Sequence, residues 1–68
     1  MTVQVELNGE PRVLPDGSTI AQAVAELTAV PSGVAAAVNG DVVPRGSWAL
    51  TVLRDGDQVE VVTAVQGG

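Results

Sequence analysis

The 68-residue chain reads as a small α+β domain, a mixed sheet of about five strands with one main helix packed on one face. Three observations predict this. Apolar and polar residues alternate in short stretches at both ends of the chain, the period of half-buried strands. One stretch between them, Ile20, Ala23, Val24 and Leu27, repeats at i, i+3, i+4 and i+7, the stripe of an amphipathic helix. Two Asn-Gly pairs, Asn8-Gly9 and Asn39-Gly40, mark two-residue hairpin turns.

In chain order, Val3, Val5 and Leu7 alternate with Gln4 and Glu6 as a first strand that runs into Asn8-Gly9. The second strand, Glu10–Leu14, contains Pro11, which cannot donate to a ladder, so this strand belongs at a sheet edge. Pro15-Asp16-Gly17 turns the chain. Thr19 followed three residues later by Gln22 is a capping box, and the helix is expected from Ile20 to about Thr28. Pro31 prevents its extension, and Pro31-Ser32-Gly33 forms a loop. Val34–Val38 is a strand with Val34, Ala36 and Val38 on one face and Ala35 and Ala37 on the other. After Asn39-Gly40, Asp41–Val43 returns as a brief strand that Pro44 ends, again at an edge. Ser47 is expected to cap a helical turn through Trp48, Ala49 and Leu50. Asp55-Gly56-Asp57 turns into the last strand, where Val59, Val61 and Thr63 share one face and Glu60, Val62 and Ala64 the other. With the proline-bearing strands at the edges, the first and last strands fall in the centre. The strand–helix–strand crossover links parallel strands. The folded domain is expected over residues 1–64, and residues 65–68 form a flexible tail.

Composition narrows the function. Three arginines against eight acids give a formal net charge of −5, which disfavours nucleic acid and anionic membranes and favours partners with a basic surface. Apolar runs are far short of the ~20 residues a membrane helix needs. The start of the chain has no basic region followed by an apolar stretch, so no signal peptide is expected. The chain has no cysteine, which fits a reducing compartment, the cytoplasm. Cys, His, Lys and Tyr are all missing, so the usual nucleophiles and bases are mostly absent and a self-contained enzyme is not expected. No cluster with metal-ligand spacing stands out. Asp55 and Asp57 flank Gly56 as turn residues.

The chemistry concentrates in the last residues. Gly67 and Gly68 lack Cβ atoms, so the end of the chain is thin enough to enter a narrow channel. At an average glycine content, two at one fixed place have a chance of about 0.5 %. Four residues past Ala64 span at most ~13–14 Å, enough to carry a terminal carboxylate into a partner's active site. That carboxylate is ionised at neutral pH. It can attack ATP to give an acyl-adenylate, from which a sulfur nucleophile displaces AMP. With no thiol in the chain, any sulfur it carries must sit there.

Ala37-Val38-Asn39-Gly40, Val43-Pro44-Arg45 with Trp48 three residues on, Asp55-Gly56-Asp57 and the closing Gly67-Gly68 together resemble the ThiS family of sulfur carriers in thiamin biosynthesis, within the ubiquitin-like β-grasp superfamily. Val5-Glu6-Leu7-Asn8-Gly9 and Thr19-Ile20 also fit, so the resemblance covers essentially the whole chain. It implies that a ThiF-like enzyme adenylates Gly68 using ATP and magnesium held by that enzyme. A sulfur-delivering enzyme then provides sulfur for a thiocarboxylate, and a ThiG-like thiazole synthase accepts it. Gly68 is then the covalent site, Gly67 gives clearance, and Val65 and Gln66 are the threaded spacer. Sulfur carriers for molybdopterin or another pathway share the fold and the Gly-Gly end, as do ubiquitin-like protein modifiers.

Alternation also predicts a surface. Ala35, Ala37, Val62 and Ala64 should form a shallow apolar patch beside the tail, a docking face for partners. Trp48, the lone aromatic residue, is expected to plug the core, where its N–H needs an acceptor. Arg45 is expected either to meet an acidic group on a partner or to pair with a nearby carboxylate.

Overall fold

The computed structural model describes residues 1–27 and 33–63. Five strands, β1 (Thr2–Leu7), β2 (Glu10–Pro15), β3 (Val34–Val38), β4 (Asp41–Val43) and β5 (Gln58–Thr63), form one sheet in the order β2-β1-β5-β3-β4. β2, which carries Pro11, and β4, which Pro44 follows, lie at the two edges and the first and last strands inside, as expected. β1 and β5 are parallel and the other pairs antiparallel, so β2 and β3, joined through the helix, run in the same direction.

Both Asn-Gly pairs turn as their chemistry requires. Asn8 and Gly9 have φ of 53° and 82°, and Asn39 and Gly40 have 51° and 87°, the left-handed pair that matches the twist of a tight hairpin.

The helix α1 (Ile20–Leu27) starts on a reciprocal capping box. The Thr19 backbone N–H donates to Gln22 Oε1 at 2.8 Å, and the Gln22 N–H donates to Thr19 Oγ1 at 3.4 Å. Ile20, Ala23 and Val24 are buried, but Leu27, the fourth residue of the predicted stripe, is 37 % exposed at the helix's last residue. The loop expected at Pro31-Ser32 lies outside the described residues.

α1 covers one face of the sheet. There Val3, Val5, Leu7, Leu14, Ala36 and Val59 meet Ile20, Ala23, Val24, Leu53 and Trp48 in one core, with Val34, Val38, Val43 and Val61 packed against it. Each fully buried Val, Leu or Ile side chain is worth about 1.5–3 kcal/mol over its exposed state. An eight-residue helix depends on that packing, because it is marginal alone.

The segment after β4 differs from expectation. Arg45–Leu50 is a 3-10 helix whose first turn contains Ser47, so Ser47 does not cap it. The N-cap is Pro44, which makes no side-chain capping bond. Proline's fixed φ already suits a helix start, so the helix begins three residues earlier than a serine cap implies. Trp48 is buried, and its indole N–H donates to the Val43 carbonyl at 2.9 Å, which meets the expected need. Ser18 is the one buried polar side chain among the described residues, and its hydroxyl donates to the Pro15 carbonyl at 2.6 Å.

Candidate functional site

The candidate site is the end of β5 together with the sheet face that α1 leaves uncovered. β5 is flanked on both sides. On one side β3 pairs along its whole length, with Val38 opposite Val59 and Val34 opposite Thr63. On the other side β1 pairs only at Glu6↔Gln58 and Leu7↔Val59. The turn before β5 extends this flank. Asp55 Oδ1 accepts from the Gln4 N–H at 2.6 Å, the Gly56 N–H donates to the Gln4 carbonyl at 2.8 Å, and the Glu6 N–H donates to the Asp57 carbonyl at 2.9 Å. Asp57 closes its own turn through the Arg54 N–H at 2.8 Å. Asp55 and Asp57 therefore act as turn carboxylates, and among the described residues no group of three His, Cys, Asp or Glu could hold a metal.

Two turn asparagines also reach β5. Asn39 Oδ1 accepts from the Gln58 N–H at 3.0 Å, and its Nδ2 donates to Asp57 Oδ1 at 3.1 Å, which fixes the start of the strand. Asn8 Oδ1 accepts from the Val61 N–H at 2.8 Å, and its Nδ2 donates to the Val61 carbonyl at 3.1 Å, nearer the strand's end.

On the open face Ala35 stands opposite Val62, and Ala37 stands opposite Glu60 on one side and Val42 on the other. Ala35 is exposed, Ala37 half-buried and Val62 59 % exposed, so three members of the predicted patch come together. They line a shallow hollow of about 110 Å³ with Ala36, Glu60 and Val42. Val42, outside the predicted patch, is 75 % exposed and extends it. Its signal was there: the Asn39-Gly40 hairpin fixes Ala37 opposite Val42, on the same face. Ala64, Val65, Gln66, Gly67 and Gly68 lie outside the described residues.

Among the described residues Arg45 pairs with no carboxylate. Its guanidinium lies over the Trp48 ring, 5.9 Å from the centroid, a cation–π contact in place of a carboxylate pair. Among the described residues the ion pair is Arg12–Glu26 at 3.3 Å, between β2 and α1.

A crystal structure of the thiamine biosynthesis protein ThiS from Geobacter metallireducens superposes with a TM-score of 0.81 at 26 % identity, covering 97 % of this chain and all of that one. The fold is therefore the ubiquitin-like β-grasp. The sulfur carrier protein ThiS of Thermus thermophilus is 42 % identical over 64 residues, 94 % of this chain and 98 % of that protein. A thiazole synthase of Magnetococcus marinus is 38 % identical over 66 residues, 97 % of this chain. The chain spans only about a fifth of the thiazole synthases it matches. The sequence profile of the ThiS family matches residues 3–68, and the chain belongs to that family.

Proposed function

We propose that this ThiS-family sulfur carrier of thiamine biosynthesis holds its sulfur on the carboxylate of Gly68. The chain is a carrier on which partner enzymes act. A ThiF-like enzyme binds ATP and magnesium, and a carboxylate oxygen of Gly68 attacks the α-phosphorus while pyrophosphate leaves. A sulfur-delivering enzyme then presents a sulfur nucleophile to the acyl carbon. The C–S bond forms and the bond to AMP breaks; cleavage of the sulfur's bond to its donor, by a thiol reductant where that donor is a persulfide, then leaves a thiocarboxylate. A ThiG-like thiazole synthase takes up that sulfur. Gly67 gives clearance in the partner's channel, and Val65 and Gln66 thread it.

The observation that carries this is the family match running through residue 68, which includes the Gly67-Gly68 end. The thiazole synthase partner has a support of its own, because proteins named thiazole synthase contain a stretch that matches this chain. The patch of Ala35, Ala37 and Val62, joined by Val42 and adjoined in sequence by Ala64, is the face on which the adenylating enzyme and the synthase dock in turn. An exposed apolar patch with a carboxylate at its rim, Glu60, suits partners that offer apolar side chains framed by basic ones. The compartment is the cytoplasm, in keeping with a chain free of cysteine.

Mass spectrometry tests the assignment. Incubated with its activating enzyme, ATP, magnesium and a sulfur source, the intact chain is expected to gain the mass of sulfur replacing oxygen on its last residue. Appearance of the chain joined to larger proteins instead would identify a modifier.

A further inference from the structure

The fold leaves the end of β5 held unevenly. β3 pairs with it as far as Thr63, but β1 stops at Leu7 and turns away at Asn8. Along the parallel ladder, the Glu6 N–H donates to the Asp57 carbonyl and the Asn8 N–H donates to the Val59 carbonyl, each at 2.9 Å. The next rung falls at Val61. Among the described residues no backbone group completes it, because Asn8 has entered the left-handed region at φ 53°. The Asn8 side-chain amide takes the missing strand's place. Its Oδ1 receives the Val61 N–H and its Nδ2 reaches the Val61 carbonyl, as a peptide group would.

Turn chemistry alone does not require this. Asn, Asp and Gly all suit the first position of such a turn. Asparagine alone of the three offers an acceptor and a donor together at neutral pH. Asn39, at the equivalent place in the other hairpin, ties only the start of β5, at Gln58 and Asp57. Among the described residues, Asn8 thus makes the last bonds to β5 on the β1 side, two residues before the strand's end at Thr63.

We propose that Asn8 is a positioning residue for the carrier reaction. By completing the ladder at Val61 on the flank that β1 leaves, it fixes, together with β3 on the other side, the direction in which the chain leaves the sheet, and so delivers Gly68 to the adenylating site. The inference rests on the assignment of Gly68 as the loaded residue. Holding the exit to one direction raises the fraction of docked complexes in which the carboxylate meets ATP. It therefore acts on turnover more than on docking, which uses the open face.

The test compares Asn8→Gly with Asn39→Gly in the full chain. Both keep a glycine-compatible turn, and both lose side-chain bonds to β5. The readout is adenylation by the cognate ThiF-like enzyme, followed as ATP–pyrophosphate exchange, together with amide hydrogen exchange of the free carrier. Asn8→Gly is expected to lower kcat by about tenfold with KM changed less than about twofold. Its Val61 amide should exchange faster than in wild type. Asn39→Gly should keep kcat within about twofold of wild type, with the Val61 amide still protected. Equal kcat in the two variants, or an unchanged Val61 amide in Asn8→Gly, would overturn the role of Asn8. A wild-type chain that supports no pyrophosphate exchange, while Val61 still loosens in Asn8→Gly, would sink the assignment of Gly68 and leave the clamp standing.

Discussion

Trp48 ties three parts of the molecule together. Its ring is 5 % exposed within the core, its indole N–H bonds the carbonyl that ends β4, and its ring supports the Arg45 guanidinium. Trp48→Phe removes the donor and leaves space that phenylalanine does not fill. It should cost about 1–3 kcal/mol, from one lost hydrogen bond and a small cavity, measurable as a lower urea midpoint at unchanged slope. The burial of Trp48 was legible in the sequence, because a lone large aromatic in a small domain belongs in the core. The posture of Arg45 was not. Arg45 and Trp48 stand three residues apart, and only the 3-10 helix starting at Arg45 turns one over the other. A helix capped at Ser47 would leave Arg45 outside it and apart from Trp48. The Asn8–Val61 contact was hidden for another reason: 53 residues separate the partners, and no local pattern records a pairing that depends on two strands meeting.

At the scale of elements, turns and caps were the most legible features, because their chemistry is local. Asn8-Gly9, Asn39-Gly40 and the Thr19–Gln22 box all form as the residues dictate. The core contribution of Leu53 was not visible, since no strand or helix period marks it. With Leu7 opposite Glu10 as the pair that closes a two-residue turn, alternation points the backbone groups of Arg12 and Leu14 toward β1 and those of Pro11, Val13 and Pro15 outward. Two of these three outward positions are prolines with no N–H to offer, so a neighbouring chain finds almost no ladder to extend. The other edge, β4, is only three residues long. The double substitution Pro11→Thr with Pro15→Thr should restore a continuous donor row on β2. The expected outcome is concentration-dependent self-association in sedimentation velocity with the monomer fold retained. A double variant that stays monomeric at high concentration would remove the prolines from this role.

On the scale of the whole molecule, α1 covers one face of the sheet and leaves the other open. The main lines of the open face followed from alternation alone, because Ala35 and Val62 fall opposite each other once β3 and β5 are neighbours. Val42 joined them only when the hairpin register was known. Val62→Glu places a charge in the apolar hollow beside Glu60, where two carboxylates would face an incoming partner. Affinity for the adenylating enzyme should fall by about tenfold or more in titration calorimetry, with the unfolding midpoint little changed, because Val62 is already exposed. Unchanged affinity in a folded variant would move the docking face elsewhere. The proposed function turns on a single acyl group, and the intact mass of the chain after incubation with its activating enzyme, ATP, magnesium and a sulfur source reads it directly. The full chain should acquire sulfur in place of oxygen at Gly68, and a chain lacking Gly68 should stay at its starting mass. Sulfur gained equally by the shortened chain, or found elsewhere than on the last residue of the full one, would contradict the assignment.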